Sequence, residues 1–142
     1  MSRKTIIILI VIAAILVIVA FATTKKEPST EKAYISDNNN LSEKELGEIE
    51  SKNKLFDTKS NIYLIIFVKN LTKENELKIN WKKIDNGTEK IVQENLLKPE
   101  NDGSGKIIIS LIRKNQVNMP GTYKAEILLD GQKEASVEFK IK

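Results

Sequence analysis

The order of apolar and polar positions divides this chain into three stretches. From Ile6 to Ala22 every residue is apolar and none is charged. As a helix this run would span about 25 Å, close to the thickness of a bilayer's hydrocarbon core. A small domain could not cover a helix that is apolar on every side. The run therefore predicts a membrane anchor over residues 1–24, with residues 5–24 in the membrane. From Asn61 the period changes to two. Ile62 to Val68 is apolar on both faces and predicts a central strand. Leu77, Ile79 and Trp81 alternate with Lys78, Asn80 and Lys82, as in a half-buried strand. Asp85-Asn86-Gly87 is a hairpin turn signal. The strand expected over Thr88 to Glu94 is weak and predicts an edge. Pro99 to Gly105 reads as loop, and Lys106 to Ile112 as a strand apolar at nearly every position. Beyond Pro120-Gly121, the row Tyr123, Ala125, Ile127 and Leu129 turns at Asp130-Gly131 into the row Ala135, Val137, Phe139 and Ile141.

Between these stretches, residues 25–54 read as a flexible polar spacer. Pro28, Ser29 and Thr30 suit neither helix nor strand, and Asn38-Asn39-Asn40 favours turn or disorder. One helix signal interrupts the spacer. Ser42 and Glu45 form a capping box, with Leu41 and Leu46 placed as a hydrophobic staple. One or two turns are expected from Glu43. Ile49, Leu55 and Phe56 are placed to begin the folded part as a first edge strand, so the folded domain is expected over residues 55–142.

Short strands with a turn about every ten residues, and no long helix outside the anchor, predict an all-β antiparallel sandwich. Gly121-Thr122-Tyr123-Lys124-Ala125 resembles the Gly-x-Tyr-x-Cys stretch of immunoglobulin-like domains, with Ala125 in place of the cysteine. Trp81 resembles their core tryptophan, and Leu64 or Ile66 stands where the second cysteine would be. The resemblance covers residues 60–142 or so. It implies an immunoglobulin-like sandwich with a surface role, and it carries over no binding or catalytic residue. It also implies that Trp81 packs between the sheets against Leu64 or Ile66 and against Ala125. Tyr123 should then lie near one end of the sandwich, its hydroxyl bonded to a backbone group.

Charge fixes the orientation. Arg3 and Lys4 precede the apolar run and every acidic residue follows it, so the amino terminus is expected in the cytoplasm and the domain outside. Lys25 and Lys26 oppose that bias. Ala20 and Ala22 also fit a signal-peptide cleavage site, and cutting after Ala22 would secrete the domain. The run exceeds the usual signal core of about 7–15 residues, which favours an uncleaved anchor. A pilin-type leader would place its processing signal just before the run, where Thr5 follows Lys4 without a glycine.

Composition narrows the chemistry. The outer part carries 21 basic residues, the chain's 23 less Arg3 and Lys4, against 19 acidic ones. No block of basic residues with interleaved aromatics appears in the sequence, so nucleic acid, which needs a concentrated basic face, is not an expected partner. The chain has no cysteine and no histidine, which removes disulfides, thiol chemistry, Ser-His-Asp and Cys-His catalysis, and the usual zinc sites. Gly103-Ser104-Gly105-Lys106 has the end of a phosphate-binding loop. The loop's first glycine would fall at Glu100, however, and Ile107 replaces the hydroxyl residue. Glu100 with Asp102, and Asp85 with Glu89, are too few ligands for calcium. Asp57-Thr58-Lys59 lacks the glycine of the aspartic-protease motif. Asn40, Asn70 and Asn86 begin glycosylation sequons.

No catalytic, cofactor or metal residue is therefore expected. The sequence predicts a non-enzymatic, membrane-anchored extracytoplasmic domain acting by contact with another envelope or surface protein, in adhesion, envelope organisation or as an accessory subunit. The alternative is an extracytoplasmic module that binds or senses a ligand or polysaccharide. A small-molecule ligand is the less expected partner. An exposed aromatic patch would favour that alternative, and an extended apolar patch a protein partner.

Overall fold

The computed structural model describes residues 26–50 and 54–142. The expected anchor over residues 1–24 lies outside them. Among the described residues no helix is long and apolar enough to cross a membrane.

Two sheets face each other. The smaller runs β1 (Ser29–Ser36), β3 (Tyr63–Leu71), β6 (Gly103–Ser110), with β3 in the centre and both pairings antiparallel. The larger runs β2 (Leu55–Phe56), β8 (Gln132–Ile141), β7 (Gly121–Leu129), β4 (Leu77–Asp85), β5 (Thr88–Leu97). Its pairings are antiparallel except the short parallel contact of β2 with β8. The all-β sandwich expected from the alternation is thus the observed architecture.

The two strand types of the sequence take different places. Alternating strands lie in the larger sheet, where one face is solvated. Leu77, Ile79 and Trp81 of β4, Tyr123 to Leu129 of β7 and Val137 to Ile141 of β8 turn their apolar rows inward. Strand β3 is apolar on both faces because both are covered. Leu64, Ile66 and Val68 enter the core. Ile65, with Tyr63 and Phe67, packs outward beneath Tyr34 and Leu46. Leu46 belongs to α1 (Glu43–Glu50), which lies on this outer face, and it is 1% exposed. Helix α1 starts at the expected capping box. The Glu45 amide donates to Ser42 Oγ at 3.3 Å, and the Ser42 amide donates to Glu45 Oε2 at 2.8 Å. These bonds to Ser42 hold the Glu45 carboxyl below its ordinary value.

Three expectations are corrected here. Ser29–Ser36, expected as spacer, is strand β1, and α1 is docked on the sheet. Local sequence does not reveal β1, because Tyr34 and Ile35 are its only large buried apolar residues, with the small Ala33 and Ser36 beside them. Ile35 enters the core and Tyr34 the outer cluster, and the rest of the strand is held by pairing with β3. Gly103, Ser104 and Gly105, expected as loop, open β6. The apolar strand expected over Lys106 to Ile112 ends at Ser110 and borders its sheet, which leaves Ile108 exposed.

Both expected hairpins are present as two-residue loops. Asn86 and Gly87 take φ of 49° and 78°, and Asp130 and Gly131 take 50° and 82°. These left-handed pairs match the twist of the flanking strands.

Trp81 is fully buried in the core and lies directly across from Ala125 on β7. It meets Phe139 edge-on, with ring centres 6.1 Å apart, and shares its cluster with Leu64 and Ile66. Its Nε1 donates to Asn95 Oδ1 at 3.1 Å. Tyr123 stacks on Phe139, and its hydroxyl donates to the Met119 carbonyl at 2.8 Å. Burial, with the Asp85 charge nearby, raises the Tyr123 hydroxyl above its ordinary value. Both residues serve the core in the manner their spacing predicts.

Candidate functional site

The border between β5 and β6 is where the two sheets part. β5 ends the larger sheet and β6 the smaller, so the sandwich opens along this side. Side-chain amides bridge the opening at one level. Gln93 Nε2 donates to the Ser110 carbonyl at 3.0 Å, and its Oε1 accepts from the Ile112 amide at 2.7 Å. The same Nε2 donates to Asn95 Oδ1 at 2.9 Å, which ties the bridge to Trp81. On either side of Gln93 lies a hollow.

The near-end hollow, of about 410 Å³, lies at the end where β1 begins. Val68, Leu71, Leu77, Leu97 and Ile107 give it an apolar floor, and the Lys98–Asp102 loop crosses it. Gly105 in its wall has open space where a side chain would stand. Asp102 Oδ1 accepts from the Lys73 amide at 2.9 Å, and Ser104 Oγ from the Asn70 amide at 3.0 Å, so the loop is fastened. Asn70 Nδ2 also donates to the Glu27 carbonyl at 3.3 Å, which places the start of the described chain beside this hollow.

The far-end hollow, of about 240 Å³, is different in kind. Its walls are Ile91 and Val92 of β5 and Ile112, Val117 and Met119 of the β6–β7 connection, with Tyr123 and Leu111 among its lining. Among the described residues eight large apolar side chains are exposed, and five of them are these. Ile112 is 73% and Met119 63% exposed. None of the eight is aromatic. Lys83, Lys90, Arg113 and Lys114 also line this hollow, and among the described residues no carboxylate does.

The connection that forms this wall is firmly held. The Asn118 amide donates to the Thr58 carbonyl and its Nδ2 to the Ser60 carbonyl, both at 2.7 Å. Arg113 Nη1 donates to the Lys59 carbonyl at 2.7 Å. Lys114 and Val117 close a small turn through Asn115 and Gln116, whose φ values are positive. Opposite, Gly121 makes room for Lys83. A side-chain carbon there would lie 2.7 Å from Lys83 Cε. Val92 is the extra residue of a β-bulge, since Trp81 and Lys82 face Gln93 and Ile91.

On the outer face of the larger sheet several lysines have carboxylate partners. Lys82 reaches Glu126 at 3.0 Å and Glu89 at 3.1 Å, Lys124 also reaches Glu89, and Lys133 reaches Glu126 at 3.5 Å. Hydrogen bonds to Glu126 and then Glu89 raise Lys82 above its ordinary value. Hydrogen bonds from Lys124 and then Lys82 lower Glu89. Partial burial pushes the Glu126 carboxyl upward, but Lys82 and Lys133 together outweigh it and hold the group below its ordinary value.

The other residues singled out in the sequence do not converge. Gly103, Gly105 and Lys106 lie along an extended strand rather than in a loop before a helix, so they build no phosphate cradle. Asp57 Oδ1 accepts from the Lys59 amide in a local turn. Asp85 lies 3.7 Å from Lys83, while Glu89 belongs to the lysine network. Glu100 lines the near-end hollow, and no cluster of three metal-ligating side chains exists among the described residues. Of the sequons, Asn40 and Asn86 are exposed and Asn70 is half-buried. The far-end residues escaped sequence reading because each looks ordinary alone. The one available signal was the run Ile107 to Ile112, too apolar for a border strand.

The arrangement defines the class: a two-sheet β-sandwich with one open border. No protein-family profile and no curated protein matches the chain. Among solved structures it is similar to a Niemann-Pick type C2 protein from the Japanese carpenter ant, at 8% identity and a TM-score of 0.50. That match covers 84% of this chain and 96% of the other. A β-glucosidase from Listeria innocua in complex with glucose matches at 10% identity and a TM-score of 0.42, over 79% of this chain. This chain spans 16% of the glucosidase. Likeness at these identities concerns the fold alone.

Proposed function

We propose that this chain is a membrane-anchored extracytoplasmic domain of immunoglobulin-like type, without enzymatic activity, which acts by holding another envelope or surface protein at its far end. The observation that carries this reading is the gathering of exposed Ile91, Val92, Ile112, Val117 and Met119 around one hollow. Contiguous exposed apolar surface is costly to leave in water and marks contact sites. Its aliphatic character favours a protein partner over a polysaccharide, which would be expected to stack on exposed aromatic rings. The topology supports the immunoglobulin-like reading. β3, β4 and β7 stand where strands B, C and F of such domains stand, and β5 and β8 where C′ and G do.

The anchor reading rests on the apolar run Ile6 to Ala22 and on Arg3 and Lys4 before it. β1 begins at Ser29, so the six residues between allow a reach of at most about 20 Å. The near end would then stand next to the membrane and the far end would face outward. The test combines two measurements on intact cells with a permeable outer layer. External protease should degrade the domain, and a photo-crosslinker at Met119 should give a defined adduct that one at Glu138 does not. Protection from protease, or a mature amino terminus at Thr23, would contradict the anchored topology.

A second reading, a ligand-binding module, is favoured by the near-end hollow with its apolar floor and glycine wall. Gly105→Val should fill that hollow without strain. If the ligand reading holds, this variant loses the cell-level function while keeping the Met119 adduct.

A further inference from the structure

We infer that the far-end hollow takes a short acidic segment of a partner protein, one that presents carboxylates beside an apolar side chain. The inference rests on the contact reading above and adds the partner's chemistry. Four cations line the hollow and, among the described residues, no carboxylate does. Lys83 has only Asp85 nearby, at 3.7 Å on an exposed turn, and Arg113 is spent on the Lys59 carbonyl. Lys90 and Lys114 have no ion-pair partner among the described residues. On the outer face of the same sheet, Lys78, Lys82, Lys124 and Lys133 are paired with carboxylates, and among the described residues Lys140 stands alone rather than in a cluster of cations. The hollow therefore combines an apolar surface lacking cover with four cations of which only Lys83 has a carboxylate beside it. An incoming carboxylate would be attracted by the focused field and an apolar side chain held by burial.

The size of the hollow argues for a segment. Stable interfaces between folded surfaces bury on the order of 1,200–2,000 Å², whereas about 240 Å³ admits one or two side chains. The position argues against the anchoring membrane's own lipids. The hollow lies at the end of the sandwich away from Glu27, about 25 Å distant along strands of eight or more residues. The surface is also ready-made: Asn118, Arg113 and the Tyr123 hydroxyl fasten the wall that carries Ile112, Val117 and Met119.

The experiment uses the full chain in nanodiscs of phosphatidylcholine. Displayed random peptides are selected against it, and the enriched sequences are synthesised. The expected result is enrichment of peptides with aspartate or glutamate next to leucine, isoleucine or phenylalanine. Their affinity should fall at least about tenfold in Lys90→Glu/Lys114→Glu and in high salt. It should be unchanged in Lys140→Glu, which makes one such charge reversal on the outer face of β8, outside the lining of the hollow. Enriched peptides that are neutral or basic, affinity indifferent to Lys90→Glu/Lys114→Glu, or no enrichment at all would overturn the proposal. Binding of dodecanoate in place of any peptide would assign the hollow to an amphiphile and overturn it equally. The Met119 crosslink separates the two levels of argument. An adduct that persists in Lys90→Glu/Lys114→Glu leaves the contact reading standing and removes the acidic partner, whereas no adduct at all removes both.

Discussion

The outer face of the larger sheet and the far-end hollow are built from the same materials, lysines on neighbouring strands, and they differ in what answers the charge. On the outer face Glu89 and Glu126 sit between Lys82, Lys124 and Lys133, and each of these five charges meets its opposite. Such a face is complete in itself. Solvent screens it, and its exposed pairs contribute little. In the hollow, Lys83 and Lys90 are brought together by the β4–β5 register, and the β6–β7 connection adds Arg113 and Lys114. The apolar side chains around them have no cover. A lysine is informative through its neighbours: the same residue blunts a sheet edge in one place and builds a positive surface with little counter-charge in the other.

The largest expected effect removes both regions together. Trp81→Ala should cost ~3–5 kcal/mol, a large part of the ~5–15 kcal/mol typical of a domain. The variant should be unfolded or barely folded by circular dichroism, and the parent should show the blue-shifted emission of a buried indole. A parent emission typical of exposed indole with an unchanged melting temperature in the variant would remove Trp81 from the core. Next, Asn118→Ala leaves the Ser60 carbonyl without its donor and should cost about 1–3 kcal/mol. Exchange of backbone amides should rise in residues 111–119 and stay unchanged in β7 and β8, so the hollow loosens while the outer face does not.

A smaller effect isolates the outer face. Glu89 and Glu126 have carboxyls held below their ordinary value of 4.5, so their contribution is present above that value. It is lost as pH falls through their lowered folded-state values. Melting temperature should therefore drop as pH falls below about 4.5, and Glu89→Gln/Glu126→Gln should flatten that dependence. Lys82, raised above 10.5, works in the other direction, and its contribution fades only as pH rises beyond that value. The smallest effect on stability belongs to the hollow. Lys90→Glu/Lys114→Glu should leave the melt within about 0.5 kcal/mol of the parent, as expected for surface positions away from packed contacts. The same change should abolish the contact.

These regions also differ in how far the sequence announces them. The larger sheet is legible because its rows alternate over whole strands and its hairpins carry Asn86-Gly87 and Asp130-Gly131, residues that tolerate positive φ. Helix α1 is legible through Ser42 and Glu45, whose bonds are local. β1 is not, since a strand with two buried apolar residues is held by its pairing with β3, and pairing across 27 residues or more leaves no local periodicity. For the same reason the double-faced burial of β3 is visible in Ile62 to Val68, while the source of its outer cover, Tyr34 and Leu46, is not. The hollow is the extreme case. Lys83, Lys90, Ile112, Arg113 and Met119 come from three separate segments, and only the closing of the two sheets brings them together.

The most direct test of this account places a photo-crosslinking residue at Met119 in the full chain in its own membrane, with and without Lys90→Glu/Lys114→Glu, and compares it with the same residue at Glu138 on β8. The account predicts one adduct of defined mass from position 119, lost in the lysine variant although its melting temperature is unchanged, and none from position 138. An adduct from position 138 with none from position 119 would contradict it, and would move the contact surface to the outer face.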